Sequence, residues 1–214
     1  MPLTAEAVAE KFSEHVSLTI NEGTAQSPQS ETVLRVENNT CQTLRAGEIP
    51  EDYLDQMSQT NYLFVCTGNT CRSPMAEGLL RKKLAEKLSC TEENLAEHNF
   101  SVGSAGIAAM YGAAASPESV EIVAAHGGTL QEHASQQVTI QLLNEADHIF
   151  AMTRGHRDAI LGAFPDVVDR LHLLAVDGRD ISDPYGGDMS AYKQCETEIL
   201  KGIEQILTDI KQPE

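Results

Sequence analysis

The chain of 214 residues carries 15 Lys and Arg against 32 Asp and Glu, a formal charge of −17. That balance argues against a nucleic-acid binder, which needs clustered cations to neutralise phosphates; Arg81, Lys82, Lys83 and Lys87 read instead as a solvated helix face. No apolar run is long enough to span a membrane and the N-terminus lacks a basic-then-apolar leader, so a reduced, cytoplasmic setting is expected.

Residues 1–60 hold 3 basic and 10 acidic side chains and read as an extension apart from the rest. A helix is predicted from Thr4 to His15, a strand from Val16 to Ile20, a Gly/Ser/Gln-rich loop from Glu22 to Ser30, and two β-like runs, Thr32 to Val36 and Thr40 to Arg45. Together they make a short α+β unit. Asn38-Asn39-Thr40 matches a glycosylation acceptor, a chance hit in a chain that is not secreted.

From residue 61 the pattern becomes a regular alternation. Strands are predicted at Tyr62 to Val65, Phe100 to Val102, His148 to Met152 and Leu171 to Leu174, and helices near Pro74 to Leu88, Pro117 to His126, Thr139 to Asn144, Arg154 to Gly162 and Ser190 to Ile210. This is an α/β pattern: a four-stranded parallel sheet with helices on both faces, filling one domain over residues 61–214. Such sheets bind ligands beyond the carboxyl ends of strands near a topological switch point, which is where Cys66 falls.

The densest chemistry lies in Tyr62-Leu-Phe-Val-Cys66-Thr-Gly-Asn-Thr-Cys-Arg72-Ser73. An apolar β-type run delivers a cysteine into a turn containing Gly68 and Asn69, both able to take positive φ, and the turn closes on Arg72. Pro74, tolerated in a helix's first turn, and the spacing of Met75, Leu79, Leu80 and Leu84 then announce a helix. Successive backbone N–H groups at a helix N-terminus, with a guanidinium clamp, suit a phosphate, and the same field favours a thiolate. The competing reading is a buried cysteine that merely ends a core strand.

Further along, Asp183-Pro184-Tyr185-Gly186-Gly187 interrupts the chain before a long amphipathic segment. Taken alone it is an ordinary Asp-Pro turn. Beside a nucleophilic cysteine, Asp183 becomes the carboxylic acid that must protonate a leaving atom.

These residues resemble the low-molecular-weight protein phosphatases over roughly residues 61–214. The segments CTGNTCRSPMAE from Cys66 to Glu77, SAG from Ser104 to Gly106, Ala146 to Thr153, and DPYGG from Asp183 to Gly187 stand in that family's order. The resemblance implies Cys66 as nucleophile, Arg72 as phosphate clamp and Asp183 as general acid. Thr67, Gly68, Asn69, Thr70, Cys71 and Ser73 then bind phosphate or hold the loop, and Tyr185 meets the substrate. It also implies a reversible disulfide between Cys66 and Cys71, protecting the nucleophile from over-oxidation; the plainer reading of Cys71 is a small apolar side chain under the loop. Phosphorylated proteins are the implied partners, and no cofactor is called for.

Within the family, tyrosine-directed members usually carry an aliphatic residue where this chain has Thr70, and a second aromatic where it has Gly186. Thr70 before Cys71-Arg72, with Gly186-Gly187 after the aromatic, resembles the protein-arginine-phosphatase branch. The wall is smaller and more polar, suiting a phosphorylated guanidinium better than a phenyl ring. The alternative is tyrosine specificity. An arsenate reductase on the same scaffold would need paired downstream cysteines, whereas only Cys90 and Cys195 follow the loop, far apart. A noncatalytic phosphoresidue-binding module would not need both Cys66 and Asp183.

Cys41, Cys90 and Cys195 stand singly, without zinc-type spacing, and read as buried or inert thiols; no metal is expected. Ser30 to Val36 followed by Thr43 to Ile49 resembles the C-terminal end of a threonylcarbamoyl-adenylate synthase domain over residues 1–50. That domain's nucleotide-binding body would lie upstream, so the expectation is a remnant or truncated product of a fusion between the two enzymes, without synthase activity and with its strands lying loosely beside the phosphatase.

Overall fold

A computed structural model describes residues 4–21, 23–24, 31–37 and 40–210 and divides the chain into two compact units, Met1–Ser58 and Gln59–Glu214. In the first unit, helix α1 (Ala5–Phe12) starts where the Thr4 hydroxyl accepts the Ala7 N–H at 3.3 Å. Strands β1 (Val33–Glu37) and β2 (Thr40–Arg45) pair antiparallel, and helix α2 (Glu51–Ser58) follows. The helix predicted to reach His15 ends at Phe12, and the strand predicted from Val16 to Ile20 is irregular. A strand needs a neighbour to take its backbone hydrogen bonds, and none pairs with this run among the described residues. The loop from Glu22 to Ser30, apart from Gly23 and Thr24, and the Asn38-Asn39 pair lie outside the described residues. Every buried hydrophobic side chain among the described residues belongs to the second unit.

That second unit carries β3 (Thr60–Cys66), α3 (Arg72–Leu88), β4 (Phe100–Gly106), α4 (Pro117–Ala125), α5 (Ile140–Glu145), β5 (His148–Ala151), α6 (Arg154–Ala163), β6 (Leu171–Leu173) and α7 (Met189–Asp209). The expected four-stranded parallel sheet is present, in the order β4-β3-β5-β6. Alternate residues of β3 feed two cores. Tyr62 and Phe64 meet Met75, Leu79 and Leu80 of α3, Val123 of α4, and Ile199 and Ile203 of α7. Leu63 and Val65 meet Leu143 of α5, Ile149 of β5 and Ile160 of α6 on the opposite face. The chain leaves β3 for β4 on one side and returns to β5 on the other, so the carboxyl end of β3 is the switch point.

Two short 3-10 helices, Glu92–His98 and Pro165–Arg170, escape the sequence pattern. Helix α3 begins at Arg72, ahead of Pro74, which therefore sits inside its first turn. The basic face of α3 is not freely solvated. Arg81 lies 3.8 Å from both Glu77 and Glu92, and Lys87 Nζ donates to the Leu207 carbonyl at 2.6 Å. Packing of α7 and the first 3-10 helix against α3 covers that side. Among the described residues no helix is long and apolar enough to cross a membrane.

Candidate active site

Strand β3 ends at Cys66 in register with Gly106 of β4, and the chain then turns through residues 67–71 before α3 starts. Asn69 takes the left-handed conformation at φ 54°, which its short polar side chain tolerates. The carbonyls of this loop are held from outside. Ile107 N donates to Cys66 O at 3.0 Å, Ala108 N to Thr67 O at 2.9 Å, and Ser116 N to Thr70 O at 2.8 Å. His133 Nε2 donates to Asn69 O at 2.8 Å, and Ser119 Oγ to Cys71 O at 3.2 Å. Because N–H and C=O of a trans peptide point oppositely, pinning the carbonyls outward turns the amides toward the concave side.

Cys66 is buried at the base of that concavity. Its sulfur accepts the Asn69 N–H at 3.2 Å and stands 3.0 Å from Ser73 Oγ. A thiolate form could only accept, and for it Ser73 would be the donor; the Ser73 oxygen takes a hydrogen bond from Asn69 Nδ2 at 3.0 Å. Asn69 Nδ2 also donates to Ser104 Oγ at 2.7 Å, and Asn69 Oδ1 accepts Gln136 N at 2.9 Å. Ser104 passes its own proton toward Glu77 Oε2 at 2.6 Å, and burial raises that carboxyl's pKa above the ordinary value. Asn69 and Ser73 are thus fully buried supports behind the loop, not part of the cavity wall.

The cavity in front has a volume of about 390 Å³. It gathers Cys66, Thr67, Gly68, Thr70, Cys71 and Arg72 of the loop with Asp183 and Tyr185 from the segment before α7. Ala108, Met110 and Ala113, from the loop after β4, complete the wall and were not picked out from the sequence. Isolated apolar residues in a loop have no pattern to betray them.

Arg72 is 5% exposed, and its Nη2 donates to Asp183 Oδ2 at 2.7 Å. Asp183 is half exposed at the mouth, and its Oδ1 accepts the Tyr185 N–H at 3.2 Å. Glu198 of α7 holds the preceding residue, accepting from Ser182 N at 2.7 Å and Ser182 Oγ at 2.9 Å. Partial burial works to raise the Glu198 pKa, but these two hydrogen bonds, with one from Gln194 and the Arg179 charge, outweigh it and hold the group below its usual range. Gly186 sits at φ 76°, a turn that glycine makes without strain, and Tyr185 is 81% exposed beside it.

His156, in the first turn of α6, touches the loop from behind. Its Nε2 lies 2.8 Å from Thr67 Oγ1 and its Nδ1 2.9 Å from Thr153 Oγ1. Burial, reinforced by the Arg72 charge, pushes its pKa down to about 4, so it is neutral near pH 7. A single histidine in a helix carries no sequence signal of this kind; only Thr153 three residues earlier, as helix cap, was readable.

Cys71 is buried with its sulfur 3.2 Å from Tyr192 Oη and 3.7 Å from Thr70 Oγ1. Burial pushes the Cys195 thiol up to about 12, which keeps it protonated. Of the three thiols expected to be buried or inert, Cys195 is buried, Cys90 is half-buried and Cys41 is exposed, its strand belonging to a two-stranded sheet that buries little. Neither Cys90 nor Cys195 lines the cavity.

The arrangement offers a sulfur nucleophile, an anion cradle of amides and guanidinium, and a carboxyl group at the mouth. Those parts suit displacement at phosphorus. Residues 61–214 match the family model for low molecular weight phosphotyrosine protein phosphatase. A protein-arginine-phosphatase of Bacillus subtilis is 38% identical over 153 residues, covering 70% of this chain and 95% of its own. EpsP of Ralstonia solanacearum, a probable low molecular weight protein-tyrosine-phosphatase, is 37% identical over 143 residues, covering 66% and 90%. Among solved structures, the YwlE arginine phosphatase of Geobacillus stearothermophilus superposes with a TM-score of 0.60 at 31% identity, covering 72% of this chain and 99% of its own. Sheet order, loop and sequence agree, and the chain belongs through residues 61–214 to the low molecular weight phosphotyrosine protein phosphatase family.

Proposed function

We propose that the protein hydrolyses phosphoarginine in phosphorylated proteins through a phosphocysteine on Cys66. The observation that carries the choice of substrate is Thr70, a polar side chain in the wall of the cavity that also holds Cys66 and Asp183. The phosphoryl oxygens enter the amide cradle and are gripped by Arg72, whose guanidinium has donors to spare beyond the one given to Asp183. Cys66 sulfur attacks phosphorus as the P–N bond breaks, its electrons passing to the guanidine nitrogen, which takes a proton from Asp183. Water then attacks the phosphocysteine while the Asp183 carboxylate accepts its proton, releasing phosphate and regenerating the thiolate. A variant of the YwlE arginine phosphatase with a phosphorylated active-site serine supports the covalent step by analogy.

Steady-state kinetics with matched phosphoarginine and phosphotyrosine peptides tests this. Thr70→Ile strands a guanidinium N–H against a branched aliphatic wall, so kcat/KM for phosphoarginine should fall roughly five- to hundredfold relative to phosphotyrosine. Cys66→Ser should lose turnover while still binding phosphate. A native preference for phosphotyrosine of more than about tenfold, or a ratio unmoved by Thr70→Ile, replaces the arginine reading with the tyrosine one.

A further inference from the structure

We propose that His156, as its Nε2–H tautomer, is a positioning residue that commits the Thr67 hydroxyl to donate a hydrogen bond to the phosphoryl group at the mouth of the cavity. The inference deepens the phosphatase reading and rests on it. The hydrogen-bond inventory favours one tautomer. Thr153 Oγ1 already accepts the His156 N–H at 3.2 Å, and at 2.9 Å from Nδ1 it has one proton to place. If Nδ1 carried the hydrogen, Thr153 Oγ1 would have to accept from both Nδ1–H and the backbone N–H, leaving the half-buried Thr153 proton no acceptor among the described residues. With Nδ1 as acceptor, Nε2–H faces Thr67 Oγ1 at 2.8 Å as donor. Thr67 Oγ1 then accepts from the histidine, and its own proton is free on the exposed side, where Thr67 lines the cavity.

The charges around the ring agree with this assignment. Arg72, Asp183 and Asp180 act on His156, and burial with Arg72 prevails, keeping the ring neutral as a proton-accepting Nδ1 requires. The backbone of Thr67 is independently held, its carbonyl accepting Ala108 N at 2.9 Å. Side chain and main chain of the first residue after Cys66 are therefore both fixed from the side away from the substrate.

Binding of inorganic phosphate, measured by calorimetry on the full chain, provides the test, alongside kcat and KM for a phosphopeptide. Thr67→Val and His156→Asn should each weaken phosphate binding about ten- to hundredfold, the worth of one hydrogen bond to a charged group. An Asn amide reaches the place of Nδ1 but not of Nε2, whereas Gln reaches Nε2, so His156→Gln should recover most of the loss. The double variant Thr67→Val/His156→Asn should bind no more weakly than either single one. Native phosphate affinity in Thr67→Val, additive losses in the double variant, or His156→Gln no better than His156→Asn each overturn the proposal. Thr67 is exposed, so Thr67→Val decides the matter even if the buried histidine cannot be replaced without unfolding. Native protein that binds phosphate but turns over neither phosphopeptide would remove the phosphatase reading while leaving this comparison intact.

Discussion

Gly106 closes β4 directly against the loop, and adding a single methyl group there should damage the site more than the fold. A Cβ on Gly106 would stand 2.5 Å from Thr67 O, 2.9 Å from Asn69 N and 3.0 Å from the Ala109 Cβ. Comfortable contacts begin near 3.5 Å, so the Thr67 carbonyl must retreat by about 1 Å. The strand cannot yield instead, because Gly106 N donates to Gln136 O and Gly106 O accepts from Val138 N, both at 2.9 Å. A displacement of about 1 Å in a catalytic constellation costs on the order of 100-fold in rate, and local overpacking costs about 1–3 kcal/mol of stability. Gly106→Ala should therefore lower kcat/KM about 100-fold, weaken phosphate binding, and lower the melting temperature by several degrees. Phosphopeptide kinetics, phosphate calorimetry and circular-dichroism melting read these three. If kcat/KM stays within about threefold of native, the close approach of β4 is not what shapes the cradle.

Three other outcomes are expected. Peroxide should inactivate the native protein reversibly by way of a Cys66–Cys71 disulfide, and thiol reductant should restore it; Cys71→Ser should recover less, and equal recovery would discard the disulfide. His156 has its pKa depressed from the ordinary 6.5 to about 4, so the stability it contributes is present above pH 6.5 and is lost as pH falls through 4. Urea unfolding at pH 7 and pH 4 should show the native chain losing up to about 3 kcal/mol more than His156→Gln, and parallel losses would refute the buried neutral ring. Glu198→Ala frees the Ser182 backbone beside Asp183, so turnover of substrates with poor leaving groups should fall about tenfold or more while phosphate affinity holds; an equal loss for activated esters would mean the damage is not to proton delivery.

Much of this protein is legible along the chain because its cues are local. The β-run ending at Cys66, the Gly68-Asn69 turn, the Pro74 helix start and the alternation through residues 61–214 are set by nearest-neighbour geometry and by burial of the central strand β3 on both faces. The chemical inventory of the loop follows from residue types a few positions apart. Val16 to Ile20 shows the limit of such reading: its composition favours a strand, but a strand exists only where another pairs with it. The same holds at the site. Glu77 and Ser104 behind Asn69, His156 behind Thr67 and Glu198 beneath Ser182 come from separate elements whose convergence depends on the sheet order β4-β3-β5-β6 and on where α6 and α7 cross it. Hydrogen bonds between residues 16 to 89 positions apart leave no trace in spacing or periodicity, so the chemistry of the loop was written in the sequence, whereas the groups that hold it rigid were decided by the tertiary structure alone.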